Sequence, residues 1–168
     1  MVDKQHILVY GIGNELLTDD GIGPKLIMKL QKTHPHKNLI YETAFVGGLD
    51  ILDMISGYSM VVFLDAIKTR GGIPGTIYLF SPDDFKETLH LSNLHDIKFL
   101  TAIELGKQLN YNIPPNIVII AIEIIEDSVY SEKFSPEIEL LFPKILKKIG
   151  DYLIDQTKCK DTIPELKI

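Results

Sequence analysis

Four side chains in this sequence stand where chemistry would need them. They are the adjacent carboxylates Asp19 and Asp20, the carboxylate Asp65 and the imidazole of His95. Imidazole combined with carboxylates is a donor set for a divalent metal such as zinc, nickel or iron. Each residue also has a plainer role. Aspartate is among the best helix caps, so one of the Asp19–Asp20 pair can cap the next helix while the other is left for different work. Asp65 closes an apolar run, where a carboxylate is costly to bury without a partner; a metal, a cap and a backbone N–H would each serve. His95 also fits an ordinary helix-start position on the surface.

The elements that must position these residues alternate between strand and helix. His6 to Gly11 reads as a strand buried on both faces, because Ile7, Leu8 and Val9 are consecutive. Gly21 to Lys32 carries Ile22, Leu26, Ile27 and Leu30 at helical spacing. Pro24 is tolerable only in a first turn, so this helix starts close to Asp19 or Asp20. Asn38 to Glu42 is a short strand, Gly48 to Ile55 a short helix, and Met60 to Leu64 an apolar strand ending abruptly at Asp65. After a polar loop from Lys68 to Gly75, Thr76 to Phe80 is a strand reached by a loop alone, which suggests an antiparallel member. Ser81-Pro82 and Ser135-Pro136 each combine a cap residue with a proline at the first helical position. Between them lie a helix from His95 to Leu109, with Ile97, Leu100, Ile103, Leu105 and Leu109 buried, and the apolar strand Ile117 to Ile122. The last helix runs to Ile154.

This order implies a three-layer α/β/α sandwich with a mostly parallel, mixed sheet. One domain over residues 1–155 and a loose tail over 156–168 are expected, since 168 residues suit a single core. Ligands of open α/β sheets bind beyond the carboxyl ends of the strands. Asp19, Asp20, Asp65 and His95 fall there. His6 precedes a strand, and His34 and His36 flank a turn after the first helix, so these three belong to the opposite end. His90 lies close to His95 and stays in play.

The loop Gly11-Ile12-Gly13-Asn14-Glu15-Leu16-Leu17-Thr18-Asp19-Asp20-Gly21-Ile22-Gly23 superficially resembles a nucleotide-binding turn. A phosphate site offers backbone N–H groups and avoids negative charge. Here two carboxylates stand in its place, and Leu16 breaks the GxGxxG pattern. The sequence holds no HExxH, GxSxG or GxxxxGK[ST] motif. The single cysteine, Cys159, sits in the polar tail, so no internal disulfide or cysteine-rich zinc site is available. A net charge of −6 and a pI of about 5.3 argue against nucleic acid or an anionic membrane as partner. No apolar run approaches the roughly 18 residues of a membrane span, and the first residues lack signal-peptide character. A cytoplasmic monomer is expected.

The 11–23 loop is similar to the GxGNxLxxD[DE]GxG opening of the hydrogenase maturation proteases. Three shorter matches follow in order: Val61-Val62-Phe63-Leu64-Asp65-Ala66, Pro74-Gly75-Thr76, and Ser92-Asn93-Leu94-His95. The resemblance spans roughly residues 6–150. It implies an α/β/α sandwich and a nickel-dependent endopeptidase that removes the C-terminal extension of a [NiFe]-hydrogenase large-subunit precursor after nickel insertion. It implies cleavage just after a His or Arg that follows the final metal-binding Cys motif. It also implies that nickel is presented by that precursor and contacts Asp20, Asp65 and His95, which would form both the catalytic and the metal site. The first ligand is Glu in some members and Asp here, and the Asp-Gly-Gly that many members carry after the second strand is absent from Glu42–Gly48. Two rival readings are a nickel-binding checkpoint or chaperone without peptidase activity, and a dinucleotide-binding domain, which the acidic loop disfavours.

Overall fold

The computed structural model describes residues 6–43, 50–87 and 94–158, with side chains throughout except at 85–87 and 94–99. Five strands form one sheet: β1 (Ile7–Gly11), β2 (Leu39–Thr43), β3 (Met60–Ile67), β4 (Ile77–Phe80) and β5 (Asn116–Glu123). Their spatial order is β2-β1-β3-β5-β4. Every pairing is parallel except that of β4 with β5. The mixed sheet agrees with the sequence expectation. The antiparallel neighbour of β4, however, is the later strand β5 rather than β3, which precedes it.

Helices α1 (Ile22–Thr33) and α5 (Pro136–Gln156) cover one face. There, Ile7, Val9, Val62, Leu64, Val118 and Ile120 pack against Leu26, Leu30, Ile145 and Ile149. Helices α2 (Asp50–Ile55) and α4 (Leu94–Gln108) cover the other. On that side Leu8, Tyr10, Val61, Phe63 and Ile119 meet Leu52, Ile55, Leu100 and Ile103. The split follows strand alternation: neighbouring side chains point to opposite faces, and a strand sandwiched between two helical layers is apolar at every position. A shorter helix, α3 (Pro82–Glu87), follows β4. Its start is a reciprocal cap, with Asp84 N–H donating to Ser81 Oγ and Ser81 N–H and O–H donating to Asp84 Oδ2.

Three sequence expectations need correction. β3 does not stop at Asp65 but continues to Ile67, because β5 pairs with it residue for residue from Met60↔Asn116 to Ile67↔Glu123. Leu109 lies past the end of α4 and is exposed, whereas Leu100 and Ile103 are buried; Ile97 falls outside the described side chains. α5 extends two residues beyond Ile154, and residues 159–168, with Cys159, lie outside the described residues.

Candidate active site at the β1–β3 strand ends

The chain turns outward in opposite directions from β1 and β3, the former towards β2 and the latter towards β5. Such a switch point opens a crevice beyond the carboxyl ends of the two strands. β1 ends opposite Leu64, and the next residue, Ile12, donates its N–H to Leu64 O at 2.8 Å. Asp65 is therefore the first residue of β3 past its β1 neighbour. It is buried at 4% exposure, and its Oδ1 accepts Ala66 N–H at 2.8 Å. By alternation with Phe63 and Ile67 it faces the α2/α4 layer.

Asp20 reaches the same end from the other side. Residues Thr18–Gly21 form a single 3-10 turn that runs directly into α1 and packs on β3. Asp20 is 7% exposed, and its Oδ2 accepts the Asn14 N–H at 2.8 Å. Asn14 in turn folds its own loop, its side-chain oxygen accepting Leu16 N–H at 3.0 Å. Two buried carboxylates, each oriented by a backbone N–H, thus flank the switch point.

The third expected member, His95, is the second residue of α4, which packs on the sheet face toward which Asp65 points. Its side chain lies outside the described residues, as does all of His90. Among the described residues no three His, Cys, Asp or Glu side chains gather as a metal set. His34 and His36 are placed at the other end, as expected. His36 Nδ1 accepts Asn38 N–H ahead of β2, and the His34 ring packs against Gly150 of α5.

Asp19 has a role the sequence did not reveal. It is fully buried, and both its oxygens are engaged. Oδ1 accepts Ser135 N–H at 2.7 Å; Oδ2 accepts Ser135 O–H at 2.8 Å, Glu126 N–H at 3.0 Å and Ile125 N–H at 3.3 Å. Asp19 therefore ties the loop after β5 and the start of α5 to the opening loop. Ser135 still precedes the helix and its proline, but its hydroxyl serves Asp19 and makes no cap bond.

The glycines of the opening loop are also accounted for by the chain itself. A Cβ on Gly23 would collide with the backbone carbonyls of Ile12 and Leu64, and one on Gly11 with Gly23. They let α1 lie directly on β1 and β3. Backbone fills the space beside them, so they leave no room for an incoming ligand.

Glu123, the last residue of β5, is a second feature that sequence reasoning passed over. It is 1% exposed, and it fastens the 68–75 loop that follows β3. Its carboxylate accepts Thr69 N–H at 2.6 Å and Thr69 O–H at 2.9 Å. Its backbone accepts Gly75 N–H at 2.8 Å and donates to Thr76 O at 2.9 Å. Two residues facing one, with Gly75 at φ 78°, form a bulge that only glycine enters without strain. Pro74 supplies the fixed φ of the turn before it. Burial, then the nearby Glu123 carboxylate, raises the Tyr78 phenol above its ordinary range. The signal available in the sequence was a lone acidic residue ending an apolar strand, the same signal that singled out Asp65.

Taken together, a doubly covered mixed sheet and two buried carboxylates at its switch point define an α/β/α protein with an acidic site at its strand ends. The hydrogenase maturation protease family model matches residues 24–151, and the chain belongs to that family. The match begins just after the opening loop, so the reading of that loop rests on its sequence pattern and its geometry. The chain is 24% identical to the hydrogenase expression/formation protein HupD of Rhodobacter capsulatus, over 92% of this chain and 76% of that protein. It is 29% identical to the Escherichia coli hydrogenase 2 maturation protease over 46% of this chain and 48% of that one. Its fold is shared with the maturating endopeptidase HybD from E. coli, with a TM-score of 0.73 at 20% identity over 90% and 93% of the two chains. The [NiFe] hydrogenase maturation protease HycI from Thermococcus kodakarensis gives a TM-score of 0.66 at 20% identity over 94% and 96%. Among the described residues no helix is long and apolar enough to cross a membrane.

Proposed function

We infer that this hydrogenase maturation endopeptidase removes the C-terminal extension of a [NiFe]-hydrogenase large-subunit precursor, and that Asp20, Asp65 and His95 meet the nickel the precursor presents. The observation that carries this reading is the pair of buried, N–H-oriented carboxylates, Asp20 and Asp65, on either side of the β1–β3 switch point. Two carboxylates and an imidazole suit nickel, and a metal beside the scissile bond polarises its carbonyl or acidifies a bound water. Nickel here arrives with the substrate, so the site tests whether the precursor has been loaded. Asp19 does not serve as general base, because four donors already occupy its carboxylate.

The test is intact-mass measurement of nickel-loaded and nickel-free precursor after incubation with the wild-type chain and with Asp20→Ala, Asp65→Ala and His95→Ala. Shortening of only the loaded precursor, lost in each variant, is expected. Unchanged cleavage in all three variants sinks the site. Binding without any shortening by the wild type makes the chain a checkpoint rather than a peptidase.

A further inference from the structure

The loop after β5, residues 124–135, is held by an unusual density of polar bonds. Asp19 accepts from Ile125, Glu126 and Ser135. The Glu126 carboxylate turns back to accept Ser128 N–H at 2.8 Å, Ser128 O–H at 2.6 Å and Val129 N–H at 3.2 Å. Thr18 O–H donates to Val129 O at 2.6 Å, and Lys25 Nζ donates to Glu132 O at 2.8 Å. A parallel bridge between Leu17 and Ser131 joins this loop to the opening loop, with Ser131 N–H on Leu16 O and Thr18 N–H on Ser131 O.

Ile124, Ile125 and Phe134 pack toward the core, yet the two large apolar side chains at the loop's tip face solvent. Tyr130 is 79% exposed and Val129 54%; Leu16, one residue before the bridge on the opposing segment, is 48% exposed. Ordering a residue costs backbone entropy, which folding usually offsets by burying apolar groups. At the tip, hydrogen bonds fix the backbone while Val129 and Tyr130 stay outside. A rigid loop presenting a tyrosine and two aliphatic side chains loses little entropy when a partner covers it, the condition for an efficient binding anchor.

We propose that Leu16, Val129 and Tyr130 form a docking surface for the folded body of the hydrogenase large-subunit precursor. The proposal rests on the function inferred above. Two observations select this occupant. The patch is continuous with the site, since it stands on the segment whose Asn14 N–H orients Asp20 and whose Thr18 bonds the 124–135 loop. The patch is also flanked in sequence by Glu15 and Glu132, whose charges repel an anionic membrane and suit a partner surface with basic residues beside its apolar centre; Asp127 is already paired with Lys68 at 3.1 Å.

The experiment compares processing of nickel-loaded precursor by the wild type, Tyr130→Ser and Leu16→Ser, with thermal melting as the folding control. Both side chains are largely exposed, so melting temperatures should stay within a degree or two. KM should rise about tenfold or more in Tyr130→Ser, the loss of one well-placed aromatic anchor, with kcat unchanged. Leu16→Ser should show the same split to a smaller extent. Wild-type cleavage with unaltered KM in both variants overturns the docking surface while leaving the function intact. A wild type that neither binds nor shortens the precursor overturns both. A wild-type dimer dissolved by Tyr130→Ser, with precursor KM unchanged, assigns the patch to a second copy of the chain and also overturns it.

Discussion

Replacing Asp19 should cost stability, whereas replacing its neighbour Asp20 should cost activity. Asp19 is fully buried and takes four hydrogen bonds, three from backbone N–H groups and one from Ser135 O–H. Hydrogen bonds to a charged acceptor contribute about 1.5–3 kcal/mol each, and a buried donor left without its acceptor costs about 1–3 kcal/mol. The four share one carboxylate, so their effects do not add. Asp19→Ala should destabilise the fold by about 3–5 kcal/mol, at the scale of breaking a buried charged network. Asp19→Asn keeps one oxygen; placed at Oδ2 it still serves three donors, and the amide then opposes only Ser135 N–H. Its cost should be about 2–3 kcal/mol. At about 2–4 °C per kcal/mol for a chain of this size, Asp19→Ala should melt about 6–20 °C lower. Thermal and urea unfolding followed by circular dichroism would measure this. Asp20→Asn should melt within a few degrees of wild type and fail to process the precursor. An Asp19→Ala variant within about 0.5 kcal/mol of wild type would refute the assignment of Asp19 as the clasp of the 124–135 loop.

Other substitutions test other parts of the structure. Gly23→Ala drives a methyl into the carbonyls of Ile12 and Leu64, so α1 must lift off the sheet; a loss of about 3 kcal/mol or more is expected in denaturant titrations. The Ser128 hydroxyl and amide hold Glu126 at a pKa of about 2, down from 4.5. Its contribution is therefore present above pH 4.5 and lost as pH falls toward 2, and Glu126→Gln should flatten melting temperature over that window. Burial raises Tyr152 to a pKa of about 12 from 10.0, and its hydroxyl has no hydrogen-bond partner among the described residues. The folded state thus loses stability as pH rises from 10 through 12. Tyr152→Phe should be neutral or up to about 1 kcal/mol more stable at pH 7 and should weaken that alkaline loss.

Much of the architecture was legible because fully apolar strands and helical spacing are local signals. β1, β3 and β5 announced themselves as consecutive aliphatic residues, and Pro24, Pro82 and Pro136 marked the helix starts. What stayed hidden was non-local. Nothing near Asp65 in sequence shows that β5 carries β3 three residues further. Nothing near Asp19 shows that its donors lie more than a hundred positions downstream. Asp20 was singled out because two carboxylates interrupt a glycine-rich turn, and Asp65 because a carboxylate is conspicuous against an apolar run. Glu123 gave the same signal but did not match the resemblance, and so was passed over. The packing role of Gly11 and Gly23 was equally hidden, because close backbone approach and room for a ligand call for the same residue.

The step at the end of the sheet, where β3 outruns β1, also governs when the site comes into being. Asp20 belongs to the crossover that leaves β1, and Asp65 to the strand that arrives after β2 and α2. The two meet only once β1 and β3 have paired in parallel, a contact spanning some fifty residues. Such long-range parallel pairing comes late and all at once compared with local helix formation. Under the function proposed above, a chain still emerging from synthesis therefore carries one of the two carboxylates without the other. On that reading, competence to cut is acquired together with the finished sheet.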